Sequence, residues 1–249
     1  MALEAIGSTP ISHPIKNCQA YHKVVCFLFC KKDGEHVQND FEMLYSDKNI
    51  AVCVKPVGFS SEDVKDAPCV PCAIREHLNV SEVFTLHRLD VGVGGVMVYA
   101  LNKTAAAKLS MLISENKMKK EYEAVVYGKP EPENGSMEDL LFKDSRKNKT
   151  FVVDRERKGV KKARLFYNTV ETYEYTGKTV SRVHIILDTG RSHQIRAQFS
   201  SRKMPLLGDG KYGAKDNEKS IALACVRISF LSPFDGKELV FEKQAEFHK

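Results

Sequence analysis

The sequence predicts an α+β protein in which strands dominate and a few helices pack on the sheet. Short apolar or alternating runs at 49–54, 95–101, 122–127 and 183–187 read as strands, and several end at Gly or Pro turn signals. Stretches with helical spacing are few. Strands and helices do not alternate in a regular βαβ order, so the sum is α+β. At 249 residues the chain can bury a substantial core, and one domain is the simplest expectation.

Taken in order, residues 1–40 form an extension of unassigned role that matches no motif. It contains an apolar run at 24–30 suited to a buried or edge strand added to the main sheet. From Phe41 to residue 249 the texture is that of a regular domain. A strand at 49–54 is closed by the turn signal Lys55-Pro56-Val57-Gly58. A buried strand at 95–101 precedes a helix over 104–117, with Thr104 as its N-cap and Ala107, Leu109, Leu112 and Ile113 near helical spacing. The strand at 122–127 ends at Gly128-Lys129-Pro130, and a long charged segment runs to about Lys162. The strand at 183–187 leads through a turn at Gly190 into a short helix over 192–201 with Ile195 and Phe199 on one face. Segments 221–230 and 238–241 supply the last strands.

No run approaches the roughly 18 uncharged apolar residues of a membrane span, so no membrane partner is expected. The N-terminus carries Glu4 and lacks a basic flank followed by a continuous apolar region, which fits neither a secretory signal nor a transit peptide and predicts the cytoplasm. A net charge of +6 favours a polyanionic partner. Positive groups gather at Lys117, Lys119 and Lys120, at Arg146, Lys147 and Lys149, and from Arg155 to Arg164. Taken singly, each cluster reads equally well as a solvated hairpin or loop surface.

Seven cysteines, an odd number without export signals, argue for free thiols rather than a disulfide framework. Cys18, His22, Cys26 and Cys30 can be imagined as a zinc cluster, but Cys26 and Cys30 share an apolar run where cysteine behaves as a small hydrophobe. Cys69-Val70-Pro71-Cys72 is a lone C-x-x-C in a Pro-rich loop rather than at a helix start, and no metal or redox role is expected of it. Gly92, Gly94 and Gly95 do not make G-x-G-x-x-G and precede a strand, so a dinucleotide loop is excluded. No P-loop occurs, and no cofactor is expected.

The chemistry-bearing segments are His87-Arg88-Leu89-Asp90, then Gly190-Arg191-Ser192-His193-Gln194-Ile195-Arg196, then Gly208-Asp209-Gly210-Lys211-Tyr212-Gly213. A buried carboxylate needs a nearby cation to stay charged, so Asp90 and an arginine of the second segment are expected to meet. Residue type alone favours blander roles. Asp90 opens Asp-Val-Gly-Val-Gly-Gly, which has turn chemistry, Arg88 beside it makes an ordinary local ion pair, and Tyr122 and Leu223 suit a core.

In content, order and spacing the three segments resemble the RluA-type RNA pseudouridine synthases, over about residues 41–243. The resemblance implies a pseudouridine-synthase-like fold, a mixed and mainly antiparallel β-sheet with flanking helices and loops, in a catalytic domain at 41–249. It implies isomerisation of uridine to pseudouridine in structured RNA, an rRNA or tRNA stem-loop, by a monomer that needs no cofactor and no metal. It implies Asp90 as the residue acting at C1′ or C2′, Arg191 as its basic partner and Tyr122 stacked on a flipped-out uracil. Arg88 would insert where the base left, Leu223 would line the pocket, and Arg196, on the helix after Arg191, would meet phosphate near the helix N-terminus. His87 and His193 would have structural hydrogen-bonding roles.

The sequence departs from the family pattern at Val91-Gly92-Val93-Gly94-Gly95, where polar or charged residues are usual, and 40 preceding residues are too few for an S4-type RNA-binding domain. A catalytically silent RNA-binding or RNA-chaperone protein on the same fold is the alternative, but a binder needs the lysines and no buried carboxylate. A nucleoside-processing hydrolase would call for a second acid or a metal cluster.

Overall fold

A computed structural model describes residues 25–32 and 35–247, with side chains described at 41–247. The imagined cluster of Cys18, His22, Cys26 and Cys30 lies outside the described side chains. The strands are β1 Val25–Lys32, β2 Glu35–Ser46, β3 Ile50–Lys55, β4 Phe84–Thr85, β5 Gly94–Ala100, β6 Lys119–Tyr127, β7 Asn134–Asp144, β8 Lys149–Val153, β9 Val160–Tyr175, β10 Lys178–Leu187, β11 Leu223–Leu231 and β12 Glu238–Glu242. The helices are α1 Val70–Leu78, α2 Lys103–Ser114 and α3 Gln194–Ser201, and one 3-10 turn covers Gly210–Tyr212.

All twelve strands join one sheet in the order β1-β2-β3-β5-β11-β6-β10-β9-β7-β8, with β12 added to β11 and β4 to β5. The middle strands explain their own position. In β3 (Ile-Ala-Val-Cys-Val-Lys) and β5 (Gly-Gly-Val-Met-Val-Tyr-Ala) nearly every residue is buried, as in strands covered on both faces. In β9, by contrast, Ala163, Leu165 and Tyr167 turn inward between exposed neighbours, the alternation of a strand with one wet face.

The sheet is antiparallel except where β5 and β11 pair in parallel, with Ala224 opposite Gly94 and Cys225 opposite Gly95. This pairing sets the function of the fold, because it brings the entry to β5 and the entry to β11 to the same end of the sheet. Strand β6 then pairs antiparallel with β11, placing Tyr122 opposite Cys225. Gly95 makes the close approach possible. It sits at φ +119, and a Cβ built on it would lie 2.3 Å from the Cys225 carbonyl oxygen.

Several sequence expectations change in the structure. The C-x-x-C does open a helix: Cys69 is the N-cap of α1, and the first-turn Pro71 is tolerated because the amide it lacks has no intrahelical acceptor. Cys69 and Cys72 are joined in a disulfide, contrary to the expectation of free thiols, whereas Cys53 and Cys225 are free and buried. The cap of α2 is Asn102, whose side chain accepts from the Ala105 amide at 2.9 Å, rather than Thr104. Helix α3 starts at Gln194, two residues late, because His193 is held at φ +51. The charged segment after Pro130 folds as β7 and β8, paired from Leu140–Val153 to Asp144–Lys149. Strand β1 lies at the sheet edge, and β2 runs through residues 40 and 41 without a break.

Gly95→Ala should lower stability by about 1–3 kcal/mol from its backbone conformation alone, with the collision at Cys225 adding to the loss. A urea-unfolding midpoint equal to that of wild type would show that β5 and β11 do not approach as described.

Candidate active site

Asp90 sits in the loop between β4 and β5, and three sets of bonds fix that loop. The Ser61 hydroxyl accepts from the Leu89 amide at 3.0 Å and donates to the Leu89 carbonyl at 2.8 Å, pinning the residue just before Asp90. The Val93 amide closes a turn on the Asp90 carbonyl at 2.9 Å. Beneath that turn the fully buried Lys55 donates from Nζ to the carbonyls of Pro56 at 2.9 Å, Val91 at 3.3 Å and Val93 at 2.7 Å. Burial pushes the Lys55 ammonium down to about 8, with Asp90 opposing that shift. The unusual Val-Gly-Val-Gly-Gly sequence is therefore held by its backbone carbonyls, for which its apolar side chains are no obstacle.

The cation that meets Asp90 is Arg196, not Arg191. Arg196 Nη1 lies 2.5 Å from Asp90 Oδ2, while its Nε and Nη2 grip the two oxygens of Asp209 at 2.7 and 2.8 Å. Arg196 and Asp209 are both buried, and the Asp90 side chain keeps 32% of its surface exposed. Burial works against the Arg196 charge, but the bonds to Asp209 and then Asp90 outweigh it and hold the guanidinium above its ordinary value. Arg196 thus makes a carboxylate bond from each of its three nitrogens.

The physical reason lies at the start of α3. Arg191 precedes the helix, where the Gln194 side chain accepts from its backbone amide at 3.0 Å. Its guanidinium turns outward and donates from Nε to the Lys162 carbonyl at 3.0 Å. Arg196, in the first turn, falls on the inward face, where buried Asp209 demands a positive charge. Gly208 delivers that aspartate: at φ +79, a Cβ there would stand 1.9 Å from the Ser220 carbonyl oxygen.

His193 completes the setting. The Tyr212 hydroxyl accepts from the Thr150 amide at 2.8 Å and lies within hydrogen-bond distance of His193 Nδ1, at 2.9 Å. The other ring nitrogen, Nε2, faces Asp90 Oδ1 at 3.5 Å. Desolvation lowers the His193 pKa against the opposing pull of Asp90, consistent with a neutral imidazole. The Tyr212 ring also lies under the Arg196 guanidinium at 4.9 Å, so one aromatic supports both residues.

Asp90, Tyr122 and Leu223 line one cavity of about 70 Å³, with Arg88 and Arg191 at its wall. It adjoins an open cleft of about 510 Å³ bordered by Arg88, Asn148 and Lys211. Tyr122 and Leu223 are buried, and desolvation holds the Tyr122 phenol far above its ordinary value, so it stays protonated. Arg88 is half exposed and pairs with Glu62 at 2.9 Å. His87 is enclosed, with Nε2 accepting from the Val98 amide at 3.2 Å, and burial keeps it neutral. Of the basic hairpin, Lys149 packs over the Tyr212 ring at 4.7 Å, while Arg146 and Lys147 are exposed. A separate cavity of about 400 Å³ behind Gly94 and Gly95 holds the closed Lys243–Glu42 pair and excludes Asp90.

Sequence reasoning missed Asp209, Lys55, Ser61 and Tyr212 as parts of the site. Asp209 and Tyr212 were both within the third segment. The available signal was charge arithmetic, since two arginines in the second segment leave one in need of a second acid. Lys55 and Ser61 act through backbone carbonyls and amides, which carry no pattern in sequence.

The profile of the RNA pseudouridylate synthase family matches residues 49–201. Dual-specificity RNA pseudouridine synthase RluA of Escherichia coli (strain K12) is 31% identical over 213 residues, spanning 82% of this chain and 93% of its own. tRNA pseudouridine synthase C of Vibrio parahaemolyticus is 27% identical over 222 residues, spanning 82% and 89%. Among solved structures, human RNA Pseudouridylate Synthase Domain Containing 1 superposes with a TM-score of 0.72 at 21% identity, covering 82% of this chain and 83% of that one, a likeness of fold.

Arg196→Met should cost about 3–5 kcal/mol, because it strands buried Asp209 without a partner. Arg191→Met, on the exposed edge, should stay within about 0.5 kcal/mol of wild type. Urea unfolding of both variants checks this, and equal losses would contradict the assignment of Arg196 as the paired residue.

Proposed function

From the premise that the chain belongs to the RNA pseudouridylate synthase family and isomerises uridine to pseudouridine in RNA, we propose that Asp90 performs the reaction on a flipped-out nucleotide of an rRNA or tRNA stem-loop. The reaction breaks the N1–C1′ bond, turns the uracil, joins C5 to C1′ and releases the C5 hydrogen as a proton. A single carboxylate suffices, acting at C1′ as nucleophile or at C2′ as base, because the departing uracil anion is stabilised by its own carbonyls. The observation that carries this reading is the half-exposed Asp90 carboxylate, held by Arg196 and facing Tyr122 and Leu223 across one cavity.

Tyr122 stacks on the uracil and offers a protonated phenol at the reacting face, and Leu223 closes the other side. Arg196 is a positioning residue: it keeps Asp90 aimed. Arg88 leaves its exposed partner Glu62 at little expense, about 0–1 kcal/mol, and fills the gap left by the base. Lys211 borders the cleft and Arg191 the adjoining cavity, and together they receive the RNA backbone, in a monomer of the cytoplasm. The names of the relatives, a tRNA enzyme and a dual-specificity RNA enzyme, support an RNA substrate and, in one case, tRNA.

Incubation with RNA tritiated at uracil C5, on separated rRNA and tRNA pools, should release tritium from one pool or both. Asp90→Asn should release none while binding RNA as tightly as wild type. Release by Asp90→Asn at a rate near that of wild type would sink the assignment.

A further inference from the structure

The Cys69–Cys72 pair stands outside the reaction just described, yet it adjoins the segment that fixes Asp90. We propose that it is a reversible thiol–disulfide site, exchanging with small-molecule or protein thiols, whose oxidised form holds the catalytic loop in place. Cys69 is buried and caps α1, while Cys72, in the first turn, is only half-buried. An incoming thiolate therefore reaches Cys72 Sγ. The S–S bond breaks, Cys69 leaves as thiolate and takes a proton, and a second thiolate attacks the outer sulfur of the mixed disulfide, so that Cys72 leaves as thiolate and takes a proton. Two thiols are oxidised to one disulfide and the protein gains a dithiol, a balanced two-electron exchange.

The surroundings serve both states. Cys69 Sγ accepts from the Cys72 amide at 3.1 Å at the helix start, which stabilises it as leaving thiolate. Arg75 Nη2 lies 3.6 Å from Cys72 Sγ, a cation suited to a thiolate there. Asp63 Oδ1 lies 3.8 Å from both sulfurs and is ready to accept from the thiols once reduced. A metal ion is a poorer occupant of the same three residues. The sulfurs are bonded to each other, and the Arg75 guanidinium already grips both Asp63 oxygens.

The link to Asp90 is short. The Ser60 amide donates to the Pro68 carbonyl at 2.9 Å and the Ser60 carbonyl accepts from the Val70 amide at 2.9 Å, so Ser60 is stitched to both sides of Cys69. The next residue, Ser61, holds Leu89 by its amide and carbonyl, one position before Asp90. Reduction lets the two sulfurs separate, shifts the start of α1 against Ser60 and loosens Ser61 on the loop.

The full chain is equilibrated in glutathione mixtures from fully reduced to fully oxidised, quenched in acid, alkylated and peptide-mapped. Cys69 and Cys72 should become alkylated together in one two-electron transition. Failure to reduce without denaturant, failure to oxidise, or stoichiometric zinc bound to the reduced protein would each overturn the proposal. This titration does not depend on the role of Asp90. Tritium release measured across the same series does rest on the proposed reaction, and its kcat/KM should fall about threefold to tenfold as the pair becomes reduced. The Cys69→Ser/Cys72→Ser variant should lie at the lower level in every mixture. Turnover constant across the wild-type transition would overturn the coupling to the loop.

Discussion

The structure depends on one guanidinium shared between two carboxylates. Arg196 is buried with Asp209, and a buried charge is tolerated only when paired and fully hydrogen-bonded. Asp209 takes the two-pronged grip on Nε and Nη2, which leaves Nη1 for Asp90. Of the two carboxylates, Asp209 is buried and Asp90 keeps solvent access. The proposed reaction takes its carboxylate from that position. In the proposed reaction Asp209 fixes Arg196, and Arg196 in turn orients Asp90.

That constraint explains local features that otherwise look unrelated. His193 adopts φ +51 so that α3 begins late and turns Arg196 inward. Gly208 permits the approach to Ser220 that delivers Asp209. Tyr212 supports Arg196 with its ring and His193 with its hydroxyl. On the other side of the site, the parallel contact of β5 with β11 through Gly95 brings Asp90, Leu223 and Tyr122 to one end of the sheet. Lys55 and Ser61 then hold the Asp90 loop by its main chain.

Much of this was legible in the sequence because it rests on side chains in recognisable order. The strand-dominated α+β class followed from apolar runs that did become β3, β5, β6 and β11. Asp90, Tyr122 and Leu223 were singled out, and the fold does gather them around one cavity. The choice between Arg191 and Arg196 was not legible, since it turns on a two-residue displacement of the start of α3 set by a left-handed His193. Helix α1 was hidden for a similar reason: Pro71 looks like a loop residue until its place in the first turn is known. The strand β2 crossing residue 41 shows that a change in sequence texture need not coincide with a break in structure.

The central claim is that Asp209, which lines neither the cavity nor the cleft at Asp90, sets the reaction rate by orienting Arg196. The most direct test is single-turnover tritium release by Asp209→Asn, with the RNA Kd measured on the same preparation and folding checked by circular dichroism. The account predicts a folded protein with wild-type RNA affinity whose isomerisation step is slowed by about tenfold or more. A folded variant that isomerises at the wild-type rate would contradict it.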